Sequence, residues 1–187
     1  MRYDVAIIGA GVAGLSAARA LCPTLDVVVL EEEKLPGGLA WQLGCKATDE
    51  CLYCGVCHGI NLKRDLSETS DFCFDYHPGV TILAVRKFGE EFILTREGGE
   101  EVETSSILVA TGVRPFDARL TSNLGYGTLP GVFTGYDIEK SLNTEGIQRF
   151  STSHRIAFIQ CVGSRNFLKK RGYCSQVCCR YALRIAE

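Results

Sequence analysis

The chain has 187 residues, 46% of them hydrophobic, which is enough to bury the core of one domain and part of a second. Lys and Arg number 20 against 22 Asp and Glu, and this near balance argues against a nucleic-acid partner, which would favour a strongly basic patch. No apolar run is long enough to span a membrane, and the amino terminus lacks the pattern of a signal peptide, so we expect a cytoplasmic protein.

The start of the chain has the pattern of a βαβ unit that binds a dinucleotide. A predicted strand at residues 3–8 leads into a Gly-x-Gly-x-x-Gly loop, then a predicted helix at 15–21 and a second strand at 26–30. In such a loop Gly9 permits a tight turn, Gly11 lets the backbone approach a pyrophosphate, and Gly14 lets the helix pack closely on the sheet.

An acidic residue ends the second predicted strand. Glu31 lies where a carboxylate can accept hydrogen bonds from a ribose hydroxyl, and Glu32 takes this place if the register is shifted by one residue. Strand, glycines, helix, strand and acid therefore occur in the order that a dinucleotide site requires.

Two later features favour FAD over NAD. Gly37-Gly38 follows the second strand, and a predicted buried strand at 107–110 ends in Ala110-Thr111-Gly112 after a β-rich segment with strands at 80–85 and 91–96. Both features resemble the two-dinucleotide-binding-domain flavoproteins, in which the Ala-Thr-Gly strand passes close to the flavin. The candidate cofactor-binding residues are Gly9, Gly11, Val12, Ala13, Gly14, Glu31, Glu32, Gly38, Ala110, Thr111 and Gly112.

The ten cysteines fall largely into two sets. In the first, Cys51, Cys54 and Cys57 have a C-x2-C-x2-C spacing, which lets one loop wrap three thiolates around a [4Fe–4S] cluster. Cys45 or Cys73 could supply the fourth ligand, and zinc or a metal-free loop are the alternatives. We expect Cys22, near the end of the first helix, to be a small packed residue.

The region after the second strand also resembles the redox-disulfide segment of disulfide reductases. Ala40 stands where that segment has its first cysteine, five residues before Cys45. A redox disulfide of that kind cannot form here, which disfavours a flavin-dependent disulfide reductase.

The second set is Cys161, Cys174, Cys178 and Cys179. Cys161 follows a predicted strand at 155–160, and the others lie at the start of a predicted helix at 175–186. Four thiols at a strand end and a helix start are a candidate cluster site, with buried structural cysteines as the alternative.

The segments around the second set resemble the A-subunit family of heterodisulfide reductase. The resemblance rests on Gln160-Cys161-Val162-Gly163-Ser164-Arg165 and on Tyr173-Cys174-Ser175-Gln176-Val177-Cys178-Cys179. It implies that these four cysteines ligate a [4Fe–4S] cluster near the flavin and that the flavin passes electrons to iron–sulfur centres. It also implies partner subunits in an electron-transfer complex.

We therefore predict an α/β protein with two parts. Residues 1–153 form a Rossmann-like FAD-binding domain with a β-rich insertion and a cysteine-rich insertion at 37–73. Residues 154–187 begin a second Rossmann-like domain, similar to that of thioredoxin reductase, which we expect another segment or chain to complete.

The predicted function is that of an FAD-binding iron–sulfur electron-transfer subunit, with no catalytic residue assigned. The alternatives are a non-catalytic, zinc-stabilised or assembly module derived from the same family, and a flavin-dependent disulfide reductase.

Overall fold

The computed structural model describes residues 1–43, 72–144, 155–165, 170 and 172–186. The described residues of 1–41 and 72–113 form one compact unit, and those of 42–43 and 114–186 form a second. The glycine loop and the Ala-Thr-Gly segment belong to the first unit, and the Cys161 set belongs to the second. The domain boundary predicted at residue 153 lies outside the described residues and stays a prediction.

The predicted βαβ unit is confirmed. It consists of β1 (Arg2–Ile8), α1 (Val12–Leu21) and β2 (Val27–Glu31). The two strands pair in parallel, with Val5 opposite Val27 and Ile8 opposite Leu30. All five residues of β2 are buried, as expected for a parallel strand that is covered on both faces.

Four further strands complete a six-stranded sheet: β3 (Asp75–Pro78), β4 (Ile82–Phe88), β5 (Glu91–Arg96) and β6 (Glu101–Val109). The strand order is β3-β2-β1-β6-β5-β4. β3, β2, β1 and β6 run parallel, whereas β4, β5 and β6 form an antiparallel meander. The predicted β-rich insertion is confirmed, and it extends the parallel sheet.

The core lies on both faces of the parallel strands. On one face, Leu15 and Ala18 of α1 pack with Ile7 and Val29. The opposite face of the same strands packs against the meander, whose Leu94 and Val102 belong to a second cluster with Tyr3, Ala6, Val28 and Leu30. The helix and the meander together exclude water from the strands that carry the glycine loop.

One strand and one α-helix of the described residues were not predicted. β3 has the polar sequence Asp-Tyr-His-Pro, so it lacks the apolar run that signals a strand, and it forms by pairing with β2. The helix α2 (Gly135–Thr144) begins with a capping box. The Thr134 N–H donates to Asp137 Oδ2 over 2.8 Å and the Asp137 N–H donates to Thr134 Oγ1 over 3.1 Å. The Thr-x-x-Asp spacing could have revealed this helix.

The strand predicted at residues 155–160 is wrong. No described segment pairs with these residues, and a parallel strand requires a hydrogen-bonded neighbour. Ile156 and Ile159 are each 65% exposed. The helix predicted at 175–186 is confirmed as α3 (Cys178–Ala186), which starts later because Gln176 has a left-handed φ of 59°. The second Rossmann-like domain stays a prediction.

None of the helices in the described ranges is long and apolar enough to cross a membrane.

Leu94 and Leu83 offer a test of how the meander is anchored. Leu94 is fully buried and Leu83 is 65% exposed, although both lie in the same antiparallel hairpin. We expect Leu94→Ala to lower the free energy of unfolding by about 2–5 kcal/mol because it leaves a cavity. Leu83→Ala should change it by no more than about 0.5 kcal/mol. Urea denaturation measures both, and equal losses would contradict the packing described.

Candidate dinucleotide site and cysteine set

Two of the loop glycines are required by close packing. Gly9 has φ 105°, and a Cβ there would lie 2.5 Å from the Ala110 carbonyl oxygen. A Cβ on Gly14 would overlap the Gly9 carbonyl oxygen and lie 3.3 Å from Ile7 Cγ2. The first glycine therefore sets the turn beside β6, and the third brings α1 against the loop and β1.

Gly11 is not explained by packing within the chain. Its φ of −74° is open to any residue, and a Cβ there would meet nothing within 4 Å. In the described part of the chain, no side chain caps the start of α1, and its first turn holds no acidic residue. Val12 and Ala13 are exposed. The helix amino terminus thus offers backbone N–H groups and its positive dipole end to an anion.

Glu31 ties the end of β2 to this loop. The carboxylate is buried, accepts a short hydrogen bond from the Ala10 N–H at Oε2, and accepts a second at Oε1 from the Glu33 N–H over 2.9 Å. Carboxylate oxygens have further lone pairs, so Glu31 can also accept bonds from a hydroxyl. Glu32, the alternative acid, is exposed.

The remaining predicted residues flank the loop. The Gly37 N–H donates to the Ala10 carbonyl over 2.7 Å, and a Cβ on Gly38 would lie 3.3 Å from Gly11 Cα. The Ala110 N–H donates to the Ile8 carbonyl over 2.8 Å. The predicted cofactor residues that follow β1, end β2, follow β2 and follow β6 therefore lie close together.

The Ala-Thr-Gly segment corrects one expectation. The strand end predicted as buried is open, because Val109 is 71% exposed and Thr111 and Gly112 are exposed as well. This is the carboxyl end of a parallel strand, where ligands of open α/β sheets bind, so burial by the chain's own residues is not required there.

Tyr76 is a residue that the sequence analysis missed. It lies in β3, and its buried hydroxyl has no hydrogen-bond partner among the described residues. Burial, with a smaller contribution from the negative charge of Glu31, raises the pKa of Tyr76 to about 12. No sequence signal marks it, because its position depends on the pairing of β3 with β2. The structure therefore holds an unsatisfied polar atom within the electrostatic reach of Glu31.

The Cys161 set lies in the second unit. Cys161 is half-buried with φ 64°, and Cys174, Cys178 and Cys179 are exposed. Cys178 and Cys179 open α3, and the Gln176 N–H donates to Cys174 Sγ over 3.3 Å. Over the residues that the structure describes, no three His, Cys, Asp or Glu side chains form a group that could hold a metal ion.

Two cysteines have a different role from the one expected. Cys22 and Cys73 form a disulfide with Cα atoms 5.6 Å apart, so Cys22 is not merely a packed residue. Cys73, while in that bond, cannot be the fourth ligand of the first cysteine set. The end of α1 and the segment before β3 meet here, which a separation of 51 residues conceals in the sequence. Cys45, Cys51, Cys54 and Cys57 lie outside the described residues.

Comparison with known proteins finds a family model and several relatives that each match part of this chain. A model of the Thi4 family matches residues 1–49, which include the glycine loop and Glu31. The iron–sulfur A-subunit of CoB–CoM heterodisulfide reductase from Methanocaldococcus jannaschii is 37% identical over 95 residues. The A-subunit of the ferredoxin/F420H2-dependent CoB–CoM heterodisulfide reductase from Methanosarcina acetivorans is 40% identical over 95 residues. Part of this chain is therefore similar to the heterodisulfide reductase A-subunits. The predicted resemblance to the A-subunit family of heterodisulfide reductase is thereby confirmed.

The relationship covers part of each protein. The alignments span 46% of this chain, but only 14% of the M. jannaschii protein and 12% of the M. acetivorans protein. Among solved structures, L-proline dehydrogenase from P. horikoshii has a TM-score of 0.51 and 24% identity, covering 78% of this chain and 29% of that one. This likeness concerns the fold alone, and it agrees with the predicted α/β Rossmann-like architecture.

Tyr76 and Tyr3 form a matched pair for a test of buried hydroxyls. Both have a pKa raised to about 12, but the Tyr3 hydroxyl donates to Asp75 over 2.6 Å whereas the Tyr76 hydroxyl is unsatisfied within the described part of the chain. At neutral pH, Tyr3→Phe should lower the free energy of unfolding by about 1 kcal/mol, and Tyr76→Phe should leave it unchanged or raise it. Urea denaturation of the two variants measures the difference, and a larger loss in Tyr76→Phe would contradict it.

Alkaline pH extends the same test. A folded-state pKa of about 12 means that the folded chain keeps the Tyr76 proton longer than the unfolded chain, whose pKa is 10.0. The contribution of Tyr76 to the free energy of unfolding is therefore fully present below pH 10 and is lost as the pH rises toward 12. Tyr76→Phe should show a smaller loss between about pH 10 and 12 in denaturant titrations. An identical loss in the wild type and the variant would contradict the assignment.

Proposed function

We propose that this chain binds FAD in its first unit and is part of a heterodisulfide-reductase-like oxidoreductase that passes electrons between flavin and iron–sulfur centres. The observation that carries the proposal is the open space at Gly11 in a loop that is otherwise closely packed. A backbone without a Cβ at that point lets a pyrophosphate approach the start of α1.

The residues of the first unit divide the binding of FAD among them. The exposed N–H groups at the start of α1, around Val12 and Ala13, bind the pyrophosphate. Glu31, already fixed by backbone N–H groups, accepts a hydrogen bond from the ribose. Ala110, Thr111 and Gly112 lie on the flavin side of the site. The flavin supplies the redox chemistry, and the chain supplies binding and orientation.

The iron–sulfur part of the proposal rests on the second cysteine set. Its motif, together with a relative named as an iron–sulfur subunit, supports Cys161, Cys174, Cys178 and Cys179 as cluster ligands. The positive end of the α3 dipole lies beside Cys178 and Cys179, and the Gln176 N–H already points at Cys174 Sγ. Among the described residues, these four thiols do not converge on one point. Cys45, Cys51, Cys54 and Cys57 are proposed as a second cluster site on spacing alone.

The proposal extends to partners. The matched relatives are named as subunits, so we propose that this chain works with further subunits of an electron-transfer complex in the cytoplasm. The alignments cover no more than 14% of those relatives' length, so the activity of the complete assembly belongs to the proposal as well.

Two glycine variants separate FAD binding from folding. Gly11→Ala adds a methyl group in open space, so the fold should be retained, whereas FAD affinity should fall by about tenfold or more because the methyl group blocks the pyrophosphate. Gly14→Ala should instead destabilise the protein, because its Cβ meets the Gly9 carbonyl. Calorimetric FAD titration and thermal unfolding measure both effects. Full FAD affinity in a folded Gly11→Ala protein would contradict the proposed site.

Iron and sulfide analysis after anaerobic purification tests the cluster. The Cys178→Ser protein should contain less iron and labile sulfide than the wild type, because it lacks one thiolate ligand. Ser175→Ala is the matched control, since its hydroxyl lies 3.4 Å from Cys178 Sγ but is not a proposed ligand. Iron at the wild-type level in Cys178→Ser, or bound zinc without labile sulfide, would refute the assignment.

A further inference from the structure

The disulfide between Cys22 and Cys73 is accessible from solvent. Cys73 is exposed and Cys22 is half-buried. Both line an open groove of about 590 Å³, which also borders Tyr3, Phe72, Asp26 and Asp75. A thiolate can therefore reach the disulfide without unfolding the core.

This disulfide holds the amino end of β3, an edge strand of the sheet. Over the residues described, β3 pairs with β2 alone. Apart from that pairing, Phe74 is buried against the α1 side of the core, and the Tyr3 hydroxyl donates to Asp75 over 2.6 Å. A four-residue strand has few backbone bonds, so a covalent link at its start contributes strongly to its docking.

The carboxyl end of the same strand supports Glu31. Pro78 lies opposite Glu31 in the parallel register. Just beyond the strand, the Val80 N–H donates to the Glu31 carbonyl over 2.7 Å, and the Gly79 N–H donates to the Glu33 carbonyl over 3.2 Å. The main chain of Glu31 is thus held by the β3 segment, while its side chain holds the Ala10 N–H of the glycine loop.

We propose that Cys22–Cys73 is a site of thiol–disulfide exchange and that its reduction weakens dinucleotide binding by releasing β3 from β2 and loosening Glu31. The inference rests on the proposed FAD function, since the regulated site is the same.

The exchange has a defined balance. A thiolate of an external dithiol attacks one sulfur, and a mixed disulfide forms as the Cys22–Cys73 bond breaks. The second thiolate of the dithiol then attacks the mixed disulfide, which forms the disulfide of the external compound and releases the second protein thiol. Two electrons and two protons pass from the dithiol to Cys22 and Cys73.

The test compares the full chain before and after treatment with dithiothreitol under anaerobic conditions, with thiol alkylation and mass spectrometry to confirm the state of Cys22 and Cys73. Reduction should raise the Kd for FAD by about fivefold or more. It should also accelerate hydrogen exchange at the Gly79 and Val80 amides. The Cys22→Ser/Cys73→Ser protein should bind FAD as weakly as the reduced wild type and should not respond to dithiothreitol.

The double variant separates this disulfide from the other thiols of the chain. If that variant does not fold, reduction of the wild type followed by hydrogen exchange still tests the release of β3. An unchanged Kd for FAD and unchanged hydrogen exchange at the Gly79 and Val80 amides after complete reduction would overturn the inference. That result would not contradict the proposed FAD site. A failure of the oxidised wild type to bind FAD would overturn the proposed function, and this result is distinct because it precedes any reduction.

Discussion

The close approach of Gly14 to the Gly9 carbonyl is the contact on which the rest of the first unit depends. It sets the distance between α1 and β1, and so allows Leu15 and Ala18 to reach Ile7 and Val29 in the core. The same contact points the first turn of α1 at the open space beside Gly11. A larger residue at position 14 would separate helix from loop, and the packing and the anion site would be lost together.

Glu31 adds an electrostatic constraint to this steric one. A buried carboxylate is costly unless it is hydrogen-bonded, and two backbone N–H groups satisfy it here. One of these N–H groups belongs to Ala10 of the glycine loop. The Glu31 carboxylate, which is the candidate partner of a ribose, therefore also fixes the loop that is the candidate pyrophosphate site. The orphan hydroxyl of Tyr76, unsatisfied among the described residues, shows that β3 brings a further polar group toward the same acid. The edge strand is therefore part of the site's support.

The sequence predicts those features that local constraints determine. The roles of Gly9 and Gly14, the strands β1, β2 and β5, and the helix α3 all follow from backbone sterics or from apolar runs. β3 and Tyr76 could not be predicted, because a polar four-residue segment becomes a strand only through its partner β2. The apolar segment 155–160 has the opposite outcome. It has the pattern of a strand, but no described segment pairs with it.

The Cys22–Cys73 disulfide and the candidate dinucleotide site lie at opposite ends of the parallel strands. Cys73 precedes the amino end of β3, whereas Glu31 and the glycine loop lie at the carboxyl edge of the same strands. Four strand residues at about 3.3 Å each place the disulfide about 13 Å from the level of the loop. Ala110, Thr111 and Gly112, on the proposed flavin side of the site, follow β6 at the same carboxyl edge, away from Cys22–Cys73. The connection that the structure offers between this disulfide and the dinucleotide site is mechanical, along β3 to the main chain of Glu31.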